Sequence, residues 1–110
     1  MKLQQVLDKI KDIPALIDPI EVDELIDWVS GWIDELEMDL GVVDQQVSQK
    51  RLALIEEHKK VNLAERKLEV EEIYIKQQDI ERKIRRLKSA RSNLKRRYEI
   101  ITRQALSRHL

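Results

Sequence analysis

The chain has no cysteine and no phenylalanine, and among its 110 residues only two glycines, two prolines, two tryptophans and two tyrosines. Without cysteine there is no disulfide framework to support a small secreted domain. Aromatic side chains, 4% of the total, supply too little bulk to fill a wide globular core. No apolar run approaches the roughly 18 residues a membrane-spanning helix needs, and the start lacks the basic-then-apolar pattern of a signal peptide. The plain expectation is a soluble cytoplasmic protein. A charged fraction of 38% suits long helices that each bury a narrow stripe.

The same scarcity argues against catalysis. There is no thiol nucleophile. Ser48, Ser89, Ser92 and Ser107 have no strand-turn-helix setting, and Ser30, although followed by Gly31, sits within a helical pattern. His58 follows Glu56 and Glu57 directly rather than at the spacing that turns two ligands inward from one helix, and His109 reads as part of a frayed end. No glycine-rich loop is present to hold a phosphate. No catalytic residue, metal or cofactor is expected, and the chain reads as a non-enzyme.

The formal net charge of zero conceals a segregation. Residues 1–45 hold three basic and twelve acidic side chains, a net −9. Residues 46–81 hold seven and eight, a net −1, and residues 82–110 hold eleven and one, a net +10. Asymmetry of this kind bears on partners rather than on fold.

Both prolines and both glycines precede Val42, so residues 42–110 run for 69 positions without either breaker. That favours long helix. Ahead of it, Leu3, Val6, Leu7, Ile10 and Ile13 fall at helical spacing, and Pro14 closes the segment. Asp18-Pro19-Ile20-Glu21 reads as a helix start, with Asp18 as cap, Pro19 at the first position and Glu21 completing a capping box. Val22, Leu25, Ile26, Val29, Trp32, Ile33 and Leu36 then share one side, and Gly41 supplies a left-handed stop. Residues 1–41 thus form an acidic N-terminal helical module. Residues 42–110 form a long helical coiled-coil region with a basic C-terminal part.

In that region Val47, Leu54, Val61, Leu68 and Ile75 recur every seventh residue. A cleaner heptad follows: Ile73, Gln77, Ile80, Ile84, Leu87, Arg91, Leu94, Tyr98, Ile101 and Ala105. The offset of the two stripes near residues 73–75 is either a stutter in one helix or a bend. In a hairpin, Ser89–Asn93 would be the weakest stretch. The expected fold class is all-α, with short N-terminal helices followed by a long coiled-coil helix or a helical hairpin. Ile73, Ile80, Ile84, Leu87, Leu94, Tyr98 and Ile101 are the expected seam of a homo-oligomer.

Arg82, Lys83, Arg85, Arg86, Lys88, Lys95, Arg96 and Arg97, joined by Arg91 and Arg103, make the C-terminal helix a basic amphipathic one. Such a helix can neutralise nucleic-acid phosphates, contact protein or self, or lie on an anionic membrane. Lys59, Lys60, Arg66 and Lys67 form a smaller cluster amid Glu56, Glu57, Glu65 and Glu69, which can pair with it along the helix. Trp28 and Trp32 share a face in the acidic half, where phosphate is repelled. With Glu24, Asp27 and Glu35 they are the candidate surface for a protein partner.

The run Leu54-Ile55-Glu56-Glu57-His58-Lys59-Lys60-Val61-Asn62-Leu63-Ala64-Glu65-Arg66 resembles the central segment of the bacteriophage UvsY recombination mediators. The opening Met1–Asp18 is similar in layout, as is the C-terminal helix with its apolar positions, basic patch and Ile100-Ile101. The likeness touches about half of the chain. It implies an oligomeric helical protein that binds single-stranded DNA and helps load a strand-exchange recombinase, with Lys59, Lys60 and Arg66 in contact with DNA. This chain departs from the family after the basic segment: Leu68-Glu69-Val70-Glu71-Glu72 stands where the family has a tyrosine pair and a glycine turn. Two readings remain open, a nucleic-acid-binding accessory protein and a structural or adaptor coiled coil without nucleic acid. In the second, acidic and basic halves meet between neighbouring subunits.

Overall fold

The computed structural model describes residues 1–109, with side chains through residue 107. The reading of the His109 side chain lies outside the described residues. Among those residues the chain is helical almost throughout and contains no strand, an all-α fold. Helix α1 spans Leu3–Lys9 and runs into a 3-10 segment, Ile10–Ala15. Helix α2 spans Pro19–His58, α3 Val61–Leu68 and α4 Glu72–His109.

Local chemistry accounts for most of these limits. Pro14 has no amide hydrogen and disfavours helical geometry before it, so α1 stops at Lys9 and the chain tightens into 3-10, with Asp12 at φ −134°. At the start of α2 the Asp18 carboxylate accepts the Ile20 amide at 3.0 Å, as a cap should. Glu21 pairs with Lys9, 3.5 Å away across the chain. Gly41 does not end α2, contrary to the sequence reading. Val43 and Val47 beyond it are 3% and 1% exposed. Burying two valines contributes about 3–6 kcal/mol, against about 1 kcal/mol lost to a glycine in mid-helix.

The helices end instead where no glycine marks the site. Lys59 adopts φ 54°, and its amide donates to the Ile55 carbonyl at 2.7 Å. This is the left-handed cap that glycine usually provides, and a side chain there costs about 1–2 kcal/mol. Lys59→Gly is therefore expected to raise the free energy of unfolding by about 1 kcal/mol in a urea titration, whereas Lys59→Ala, which keeps the Cβ, gives no gain. A second break at residues 69–71 separates α3 from α4. The stripe offset near residues 73–75 thus marks a bend. Ser89–Asn93 lies inside α4.

The chain divides into two compact units. The first comprises Met1–Asp34 and the chain from Arg85 onward, the second Glu35–Ile84. In the first, the core takes Val6, Leu7 and Ile10 from the N-terminal segment, Val22, Leu25, Val29 and Ile33 from α2, and Leu87, Ala90, Leu94 and Ile101 from α4. In the second, Leu36, Val43, Val47 and Leu54 of α2 are buried with Ala64 and Leu68 of α3 and Ile80 and Ile84 of α4. There the Gln77 amide donates to Asp44 at 2.7 Å and Lys50 lies 3.6 Å from Glu71, which sets α2 and α4 antiparallel.

Residues expected to form an assembly seam are largely covered within the single chain. Ile80, Ile84, Leu87, Leu94 and Ile101 are no more than 7% exposed within one chain, so the heptad faces the chain's own core. Ile73 is half-buried and Tyr98 exposed. Val61 and Ile75 also leave the inner stripe and face outward, while Val47, Leu54 and Leu68 stay inside.

Candidate nucleic-acid interface

The second unit gathers one of the basic clusters into a concave surface. Ala64 and Leu68 are fully buried and seat α3 by one face. Arg51 Nε donates to Glu65 Oε1 at 2.8 Å and ties α3 to α2. At the N-terminal end of α3, Lys60, Val61, Asn62, Leu63 and Arg66 line an open concavity of about 520 Å3. Lys59 is exposed beside it.

Several features make this surface electropositive. Glu65, which the sequence placed among the neutralising carboxylates, is drawn to Arg51. Lys60 is the N-cap of α3 and provides no side-chain cap, and the first turn contains no acidic residue. The amides of that turn, at the positive end of the helix dipole, therefore have no carboxylate competing for them. At the end of α2, His58 Nε2 is buried without a hydrogen-bond partner, 3.8 Å from a Glu57 carboxylate oxygen. Sequence reasoning found Lys60 and Arg66. It missed Asn62 and Leu63, and it placed Val61 in the core, because only the bend at Lys59 turns these residues to one side.

No family model, curated protein or solved structure matches the chain. The site is therefore read from its own chemistry. Among the described residues no group of His, Asp or Glu side chains is arranged to hold a metal ion. None of the described helices is long and apolar enough to cross a membrane.

The second basic cluster, along α4, is less uniform than its composition suggests. In the second unit Arg82 is exposed, while Lys83 pairs with Asp79 at 2.9 Å one helical turn away. In the first unit Arg85, Lys88, Lys95 and Arg96 are exposed. Arg97 is different: its Nε donates to the Leu16 carbonyl at 2.8 Å. Arg86 Nη2 reaches the Leu7 carbonyl at 3.5 Å. These two arginines hold the N-terminal segment against α4, a structural task added to the phosphate contact expected of them. Asp8 sits in the same field. The Gln4 amide, then Lys11, hold its carboxyl below the ordinary carboxylate value, and the Arg86 charge adds to the effect. A depressed carboxylate stabilises the fold above its unfolded value and loses that contribution as pH falls through the lower folded one.

The residues expected to meet a protein partner also separate. Trp32 is half-buried, its indole N–H donating to the Met1 carbonyl at 3.0 Å. Trp28 is 45% exposed, and Glu24, Asp27 and Glu35 are exposed.

Proposed function

We propose that the protein is a small helical accessory protein that binds single-stranded nucleic acid through the concavity on α3, in the manner implied by its resemblance to phage recombination mediators. The observation that carries this reading is the convergence of Lys60 and Arg66 on one open surface with Val61, Asn62 and Leu63. Lysine and arginine supply phosphate contacts, and the uncapped amides of α3 offer a further anion position. Val61 and Leu63, both exposed, offer apolar surface to unstacked bases, which a duplex would keep inside. Lys59 supports the same reading. Its backbone takes a left-handed angle that glycine adopts at lower cost, and strain of this kind concentrates at functional sites.

Fluorescence anisotropy with labelled oligothymidylate tests the proposal. With Lys59, Lys60 and Arg66 each releasing counterions, raising salt from about 50 to about 200 mM is expected to weaken binding about twenty-fold. Lys60→Glu with Arg66→Glu is expected to weaken it at least about ten-fold at low salt, with the helical content unchanged. Absence of binding by the unaltered chain in low salt would overturn the reading.

A further inference from the structure

The first unit carries a groove that the proposed α3 site does not include. Ile13, Pro14 and Ile100 line it together with Asn93, Arg96 and Arg97, in a volume of about 320 Å3. It adjoins a second depression that shares Arg97 and includes Ile17, which is 77% exposed. The lining is apolar and basic, and no carboxylate contributes to it. Phosphate would gain from the arginines but nothing from the isoleucines and proline. The matching occupant is a surface both apolar and acidic.

The chain presents such a surface itself. On α2 of the same unit, Ile20, Glu24 and Trp28 follow one another at four-residue steps and so form a single ridge, with Asp27 beside it. Ile20 is 69% and Trp28 45% exposed, and both carboxylates are exposed. We propose that the ridge of one copy packs into the groove of a second, with Glu24 and Asp27 meeting Arg96. Charge complementarity selects this occupant: the ridge brings two exposed carboxylates to a lining that contains arginine and no carboxylate of its own. The heptad is largely covered within one chain, which leaves exposed surfaces such as this one for contact between copies. Because ridge and groove are different patches, the contact is heterologous and builds a ring or a row unless it is made twice in a two-fold pair.

Sedimentation velocity of the full chain at low salt tests this. The unaltered chain is expected to associate with rising concentration and to dissociate in high salt. Glu24→Lys with Asp27→Lys, and separately Arg96→Glu, alter exposed positions and are expected to retain full helical circular dichroism. Each is expected to weaken association at least about ten-fold. Mixed together, the two variants are expected to associate again, because the reversed ridge of one meets the reversed groove of the other. A monomeric unaltered chain at every concentration, single variants that associate like it, or a mixture that stays dissociated would each overturn the proposal. So would an Arg96→Glu chain that sediments unchanged but loses oligothymidylate binding, since the arginine would then serve nucleic acid. Lys60→Glu with Arg66→Glu is expected to leave sedimentation unchanged, so that failure of the α3 site and failure of this interface are read separately.

Discussion

Leu94→Ala is expected to lower the free energy of unfolding by about 2–5 kcal/mol, and to do so equally at low and high protein concentration. Leu94 is fully buried within one chain, in a unit whose core also contains Leu25 and Leu87. Removing its side chain forfeits the transfer energy of the deleted carbons and leaves a void that helices fastened at both ends collapse only in part. Against a total stability of roughly 5–15 kcal/mol, that is a large fraction. Urea titration followed by circular dichroism in high salt, at two protein concentrations, separates this from the coiled-coil alternative. In an intermolecular seam the same substitution would act on association, and its effect would grow on dilution. Tyr98→Ala, at a heptad position 37% exposed, is expected to cost far less.

Leu68→Ala is expected to act on both the fold and the proposed site. Helix α3 spans only Val61–Leu68, too short to persist without tertiary support. Ala64 and Leu68, both 0% exposed, provide that support. With that face buried, Asn62 and Arg66 fall on the outward side, and Lys60 precedes the first turn as its N-cap. Truncating Leu68 is expected to lower stability by about 2–5 kcal/mol and to loosen the concavity it seats. Oligothymidylate binding is expected to weaken about ten-fold although no charge has been removed, because the phosphate contacts depend on a fixed backbone. Val70→Ala, at a position 76% exposed, is expected to change stability by less than about 0.5 kcal/mol and to leave binding intact. Unchanged binding by a folded Leu68→Ala chain would separate α3 geometry from recognition.

Much of the fold is legible in the sequence. The Asp18 cap, the all-helical class and the buried stripe from Ile80 to Ile101 follow from residue chemistry and spacing. Periodicity, however, specifies that a stripe is buried and not whose surface covers it. The same heptad serves a coiled coil of copies or a helix folded back in one chain, and here it serves the latter. Gly41 misled because propensity is a weak effect beside the burial of Val43 and Val47. The bend at Lys59 was hidden because a lysine at positive φ carries none of the usual turn signals. With that bend hidden, the convergence of Lys60 and Arg66 with Asn62 and Leu63 could not be seen, although the basic pair itself stood out. The clasp made by Arg86 and Arg97 was equally invisible, since their carbonyl partners lie 79 and 81 residues away in sequence.

That clasp gives the positive end of the molecule a fixed component and an adjustable one. Arg85, Lys95 and Arg96 can each be exchanged for glutamine while the N-terminal segment stays in place. Arg97, and more weakly Arg86, cannot be exchanged so freely, because a guanidinium can grip a carbonyl and still present charge from the rest of its planar fork, while an ammonium is a single point. An alanine scan across the whole basic helix would therefore mix detached first helices with lost ligand contacts. The informative comparison at these two positions is arginine against lysine, where net charge is held constant and only the grip is changed.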